Sequence, residues 1–350
     1  MKLSRRHFGQ LALGAAAAPM LTRPAFAQSG EGIIMLAWAG GTSAAWTENY
    51  LNPFSKETGI KTKMVEMGDV TPWYMGRGSE FNVVISNPAS MRFYEDGKIE
   101  PIAIADFPVL DKIDKSFWTY VDEDHLLGMP VYQQAYGIAI NTDYVDEGEI
   151  TSWYDLAKPE YKGKTALGNY AHIYEVPWFA TLEGGSETDL KPGFEMYKKV
   201  VENVLTIPGS MSQMTQLLQR GDIVAAPFYS ARVWDMIKKG ATNIKIVIPK
   251  EGAPLLPYHI EMSKTGPDLD AARKFLAYSG GAGPAERVAG ALGYFPVNED
   301  AAYPAEFEEI MGLPVEEYKS KLRRLDYVTL SKNGRDNRDI IDQINAGVGR

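Results

Sequence analysis

Ile33-Ile34-Met35-Leu36-Ala37-Trp38, followed by Ala39-Gly40-Gly41-Thr42-Ser43, decides the fold class. A short unbroken apolar run, bounded by Gly32 and a glycine pair, suits a strand of a parallel sheet buried on both faces. A helix is expected next, because Trp46, Tyr50, Leu51 and Phe54 recur at helical spacing up to Gly59, with Thr42 or Ser43 as N-cap and Pro53 as a potential kink. Ile60 to Glu66 reads as a second strand. Asn82-Val83-Val84-Ile85-Ser86 reads as a third, with a short helix from Pro88 to Asp96 closed by Gly97.

The alternation continues along the chain. Strands are expected over Lys164–Leu167, Ile223–Phe228 and Ile244–Ile248, and helices over Ile173–Glu183, Phe194–Val204, Ser212–Gln219 and Ala231–Lys239. This pattern predicts an α/β protein with parallel sheets covered by helices on both faces. Two stretches read as connectors: Tyr136–Asn141, an apolar strand followed by the loop Asp143–Ile150, and the run Pro249–Met262, with three prolines and a glycine.

Composition narrows the function classes. The chain has 350 residues, 45% hydrophobic and 23% charged, which suits two lobes or one large α/β unit and excludes global disorder and a multi-span membrane protein. With no cysteine there is no disulfide framework, thiol nucleophile, cysteine-ligated zinc or thiolate-held iron–sulfur cluster, and no thiol to carry a lipid. No G-x-S-x-G or H-E-x-x-H motif is present, so the chain is read as a non-enzyme that needs no cofactor.

The N-terminus reads as a twin-arginine export peptide. Arg5-Arg6 precedes an uncharged run of about 13 residues, short of the ~20 needed to span a bilayer, and Ala25-Phe26-Ala27 is a small-x-small cleavage pattern. Cutting after Ala27 removes four basic residues and no acid, which takes the formal charge from −9 to −13. That charge makes nucleic acid a poor partner, and the expected compartment is the periplasm.

In open α/β sheets ligands bind beyond the carboxyl ends of strands. Trp38 and Thr42 follow the first strand and could stack on and hydrogen-bond a ligand; Ser86 and Asn87 close the third strand in the equivalent place. Gln134 precedes the first connector, where a polar side chain can face a cleft.

Five blocks in order carry a resemblance. Phe54-Ser55-Lys56-Glu57-Thr58-Gly59-Ile60, then Ile150-Thr151-Ser152-Trp153-Tyr154-Asp155-Leu156 running into Lys158-Pro159-Glu160-Tyr161-Lys162-Gly163, then Gly221-Asp222-Ile223, Pro249-Lys250-Glu251-Gly252 and Gly293-Tyr294-Phe295-Pro296-Val297-Asn298, are together similar to the spermidine/putrescine-type extracellular solute-binding proteins of bacterial ABC transporters. The resemblance implies a periplasmic binding protein of the second structural type, with two α/β lobes joined by a two-segment hinge. One lobe would comprise residues 28–135 plus 259–293 and the other 136–258 plus 294–350. It also implies a monomer that captures a small-molecule ligand, closes, and delivers it to an inner-membrane permease with its ATPase.

Ligand residues follow from the same resemblance. Glu175 matches one acid of the family's pair, while His172 stands where the other acid would be. Tyr229 matches a family tryptophan, and Leu256 and Tyr258 replace a tryptophan and an aspartate. The expected ligand is therefore a polyamine-like amine, or a small zwitterion or carboxylate using Glu175 for its amine and helix N-termini or Arg232 for its carboxylate. Phe295 is a further candidate wall. The alternative is a ferric-ion-binding protein of related fold, although the chain has no Tyr-Tyr pair of the kind such sites resemble.

Overall fold

The computed structural model describes residues 32–38, 43–67 and 71–348. Residues 1–27, read above as an export peptide, and Thr42 lie outside the described residues. Among the described residues fourteen strands follow in chain order: β1 Ile33–Trp38, β2 Thr62–Met67, β3 Val83–Ser86, β4 Ile99–Glu100, β5 Ile102–Ala103, β6 His125–Leu126, β7 Met129–Asn141, β8 Thr165–Ala166, β9 Val204–Thr206, β10 Ala225–Tyr229, β11 Ile244–Val247, β12 Ala253–Ser263, β13 Phe295–Pro296 and β14 Leu322–Arg324. The main sheet runs β2-β1-β3-β12-β7-β10-β8-β9, with β11 and β13 also on β7, and β4 and β14 on β12.

The apolar run of β1 is explained by burial on both sides. Ile33, Met35 and Ala37 enter the large core, whereas Ile34 and Leu36 enter a second core with Tyr74, Phe81 and Phe93. Successive residues of a strand point to opposite faces, so a strand between two cores can carry no polar alternation. β3 repeats the pattern, with Val83 and Ile85 on one side and Val84 on the other.

The expected first helix is present but not regular. Ser43–Trp46 is α-helical, Thr47–Leu51 is a π-helical turn, and Asn52–Thr58 is α-helical up to Gly59, whose φ of 74° ends it. Pro53 supplies the cause: it has no N–H for the Asn49 carbonyl, and the amide of Asn52 reaches back to Thr47 instead. The released Asn49 carbonyl accepts from Arg287 Nε at 3.1 Å.

The expectation of purely parallel sheets is corrected. β1 pairs in parallel with β2 and β3, and β8 with β9 and β10, but β7 is antiparallel to β10, β11, β12 and β13, and β12 is antiparallel to β3 and β4. The reason is that the two connectors are themselves long strands. Every residue of β7 is buried, and the strand begins at Met129 rather than Tyr136. Its first half, up to Ala135, pairs with β12; from Tyr136 it pairs with β10 and β11. The stretch read as a proline-containing connector is mostly β12, which holds Pro254 and Pro257 despite the low tolerance of sheet interiors for proline. Between Tyr258 and His259 the register with β7 slips past Val131, next to Pro130, which has no N–H to pair. Two α/β lobes thus meet along β7 and β12.

In the second lobe the helices Glu175–Leu182 and Lys191–Val201 pack backbone to backbone at Gly193. A Cβ there would lie 2.1 Å from the Val176 carbonyl oxygen and 2.7 Å from the Ala180 amide nitrogen. Both obstacles are main-chain atoms, so Gly193→Ala must drive the helices apart. We expect a loss of about 2–3 kcal/mol, read as a lower urea midpoint at unchanged slope; an unshifted midpoint would mean that the helix pair yields freely.

Candidate functional site

Asn87 follows directly on β3, and its side chain accepts from the Ala89 amide at 3.0 Å, capping the turn Pro88–Ser90. It lines a cavity with Ile173, Tyr174, Leu256, Pro257, Tyr258 and Tyr327. The cavity measures about 10 Å³, room for at most one water, so its walls are nearly in contact. Ser86, the residue before, is 3% exposed and faces His259 across the β3–β12 ladder.

Tyr258 and Gln134 form one unit. Gln134 Nε2 donates to the Tyr258 hydroxyl at 2.6 Å, and Gln134 Oε1 accepts from the Ala231 amide at 3.1 Å. The glutamine therefore ties β7 and β12 to the helix Ser230–Lys238. The Tyr258 ring meets Tyr294 edge-on at 5.4 Å.

Tyr229 ends β10 opposite Tyr136 on β7. Its ring meets Tyr136 at 5.1 Å and Tyr174 at 5.7 Å, both edge-on, and Tyr136 and Tyr174 lie 4.7 Å apart. Burial raises the pKa of Tyr174, and holds those of Tyr136, Tyr229 and Tyr258 well above the ordinary phenol value. They are neutral rings that present faces, edges and hydroxyls but no charge.

Glu175 is the first residue of its helix and is 1% exposed. Tyr136 donates its hydroxyl to Oε1 at 2.9 Å, while Oε2 is buried without a hydrogen-bond partner. Burial pushes the carboxyl up to about 7; the Glu175 amide, the Tyr136 hydroxyl and the Gly168 amide oppose that rise. Near neutral pH this acid stands between its two forms, bonded to Tyr136, whose ring meets the cavity-lining Tyr174.

His172 is buried, and Arg338 donates to its Nε2 at 3.0 Å. A guanidinium only donates, so that nitrogen carries no proton. Burial first, and the Arg338 charge second, bring the imidazole down to about 4. The position that the resemblance gives to a second acid thus holds a neutral ring beneath a cation.

Of the eight residues singled out in the sequence, Asn87 and Tyr258 share the cavity and Gln134 holds Tyr258 from behind. Tyr229 and Glu175 lie in the adjoining tyrosine cluster, and Ser86 sits next to Asn87. Trp38 ends β1 opposite Met67, but its side chain is outside what is described. Arg232 is half-buried near Tyr294, where its charge favours the phenolate, and it does not line the cavity. Phe295 is not a cleft wall; it is fully buried among Trp234, Tyr303, Phe307 and Tyr318. The walls Ile173, Tyr174, Pro257 and Tyr327 escaped the sequence reading. Tyr174 lay within reach, between His172 and Glu175; nothing in the sequence pattern marks Tyr327.

Comparison with known proteins agrees with this architecture. The chain is 27% identical over 283 residues to spermidine/putrescine-binding periplasmic protein 1 of Haemophilus influenzae, covering 75% of this chain and 77% of that protein. An ABC transporter substrate-binding protein of Bradyrhizobium japonicum USDA 110 superposes with a TM-score of 0.76 at 19% identity, over 89% of this chain and 99% of that one. The spermidine/putrescine ABC transporter substrate-binding protein PotD of Streptococcus pneumoniae does so with a TM-score of 0.73 at 20% identity, over 90% and 99%. Both superpositions speak to the fold. Among the described residues no helix is long and apolar enough to cross a membrane. The model of the bacterial extracellular solute-binding protein family matches residues 49–314, well over half of the sequence, and the chain belongs to that family.

Proposed function

We propose that this protein is the substrate-binding component of an ABC importer, capturing a small amine-bearing organic solute between its lobes and delivering it to a membrane permease and its ATPase. In this reading residues 1–27 direct twin-arginine export and are removed, and the mature monomer works in the periplasm. Residues 28–135 plus 259–293 form one lobe and 136–258 plus 294–350 the other. The protein is a carrier that performs no chemistry on its ligand.

One observation carries the amine assignment: Glu175 Oε2 is a buried carboxylate oxygen without a partner, behind the rings of Tyr136, Tyr174 and Tyr229. A desolvated ammonium is stabilised by ring faces and by a carboxylate, and this cluster offers both. The named ligands of the Haemophilus influenzae relative point to the same chemistry. The second acid is lacking, since His172 is neutral and Arg338 covers it. A ligand with one ammonium, such as a monoamine or an ω-amino acid, therefore suits the cleft better than a long polyamine. Tyr229 and Tyr258, together with Trp38, serve as walls, and Ser86, Asn87, Gln134 and Thr42 as hydrogen-bonding groups.

Tyr258→Ala removes a cavity wall together with the Gln134 contact. Titration calorimetry with 4-aminobutyrate is expected to show affinity reduced at least tenfold, about 1.4 kcal/mol, at unchanged stoichiometry. Unaltered affinity would place the ligand elsewhere.

A further inference from the structure

The family model ends at residue 314, yet the chain beyond it returns to the cleft. β14 lies parallel to the start of β12, with Leu322, Arg323 and Arg324 opposite Ala253, Pro254 and Leu255. Alternation sends the two arginines opposite ways. The Arg323 guanidinium lies 5.0 Å over the Trp178 ring of the second lobe. Arg324 donates to the carbonyls of Ser116 at 2.7 Å and Trp118 at 3.0 Å, and to the Thr119 hydroxyl at 2.8 Å.

The chain then turns over the cavity. Asp326 caps the helix Tyr327–Lys332, accepting from the Thr329 amide at 3.0 Å, and that helix packs on the turn Pro88–Ser90 that Asn87 caps. Val328, half-buried, packs against the second core. The last helix, Gly334–Asn345, crosses back to the other lobe, where Arg338 meets His172 and Asn345 Oδ1 accepts from Tyr197 at 3.1 Å. At the centre of this strap Tyr327 is 4% exposed, donates its hydroxyl to the Leu255 carbonyl at 2.9 Å, and meets Tyr174 edge-on at 6.4 Å while lining the cavity opposite Asn87 and Tyr258.

We propose that Tyr327 is a ligand-contacting wall that limits the size of the solute, held in place by the strap Leu322–Asn345 that is anchored in both lobes. The assignment rests on the reading that this cavity is the ligand site. Because Leu255 takes the hydroxyl, what Tyr327 offers a ligand is its ring: a π contact for an ammonium or methylene, and a steric stop for a longer chain. Part of the ligand selectivity then resides in a segment outside the family-matched region. Purely structural packing would lower all affinities together, whereas a size-limiting wall changes their ratio.

The test is titration calorimetry on the full chain with 4-aminobutyrate, putrescine and spermidine as probes, comparing the unaltered protein with Tyr327→Ala, Tyr327→Leu and Tyr258→Ala. Tyr327→Leu keeps an apolar filler, so it remains informative if the alanine variant folds poorly. The expected result is that both Tyr327 variants shift the 4-aminobutyrate-to-spermidine affinity ratio at least tenfold toward spermidine. An unchanged ratio in both Tyr327 variants, with binding weakened in Tyr258→Ala, overturns the role of Tyr327 and leaves the cleft reading standing. Binding that none of the three substitutions alters, or an unaltered protein that binds no probe, overturns both.

Discussion

Glu175→Gln should stabilise the ligand-free protein above pH 7 and, in the same molecule, weaken amine binding about a hundredfold. The carboxyl is raised from 4.5 to about 7 by burial, so the folded state resists ionisation that the unfolded chain undergoes freely. The sign follows from proton linkage. Below about pH 4.5 both states carry the proton and the group is neutral in its effect; between about 4.5 and 7 the folded protein loses stability as pH rises, and above 7 the loss is complete. A shift of that size is worth about 3 kcal/mol. Glutamine keeps a carbonyl oxygen for the Tyr136 hydroxyl and never ionises, so urea midpoints of variant and parent should coincide near pH 4.5 and separate in favour of the variant at pH 8. In the parent, amine affinity should climb up to tenfold per unit from pH 5 to 7 and then level off, because proton and ammonium compete for one carboxylate. A variant less stable than the parent at pH 8, or a flat affinity profile, would contradict the assignment.

Glu261→Ala should be the most destabilising of the substitutions considered, by about 3–5 kcal/mol. Glu261 is fully buried on β12; it accepts from the Tyr74 and Ser90 hydroxyls and lies 2.7 Å from His259 Nε2. Its removal leaves a buried phenol and imidazole without their acceptor, and such groups cost far more unpaired than their hydrogen bonds contribute when paired. Ser90 closes the turn that carries Asn87 into the cleft, so ligand affinity should fall together with the melting temperature. Glu261→Gln, which retains an acceptor, should recover much of both. Equal losses in the two variants would show that the charge, and not the hydrogen bonding, is what matters there.

The sequence shows clearly what depends on local pattern. β1, the helix up to Gly59, β3 and the four helices read between Ile173 and Lys239 follow from apolar spacing and end signals, because each buries a face fixed by its own residues. β7 shows only in its second half, Tyr136–Asn141, and β12 does not show in this way. β7 is buried throughout and β12 everywhere but at Leu255, so neither alternates, and Pro254 and Pro257 argue locally for a loop although the neighbouring strands hold them in a sheet. The site is legible in proportion. Asn87 and Tyr229 lie at strand ends, Gln134 beside the first connector, Tyr258 within the second and Glu175 where the resemblance expects an acid, and the structure brings them near one cavity and its adjoining rings. Phe295 misled because its block turns inward to an aromatic core. Tyr327 stayed hidden because it reaches the cleft only through a tail whose course is set by tertiary contacts: the pairing of β14 with β12 and the grip of Arg324 on the 116–119 loop.

The most direct test is a thermal-shift screen of the purified protein at pH 8 against 4-aminobutyrate, simple monoamines, putrescine, spermidine, small carboxylates, sugar phosphates and Fe(III), since a ligand that prefers the folded form raises its melting temperature. The largest upward shift is expected with a compound carrying a single ammonium, and a smaller one with spermidine. A shift with Fe(III) or a sugar phosphate and none with any amine would contradict it.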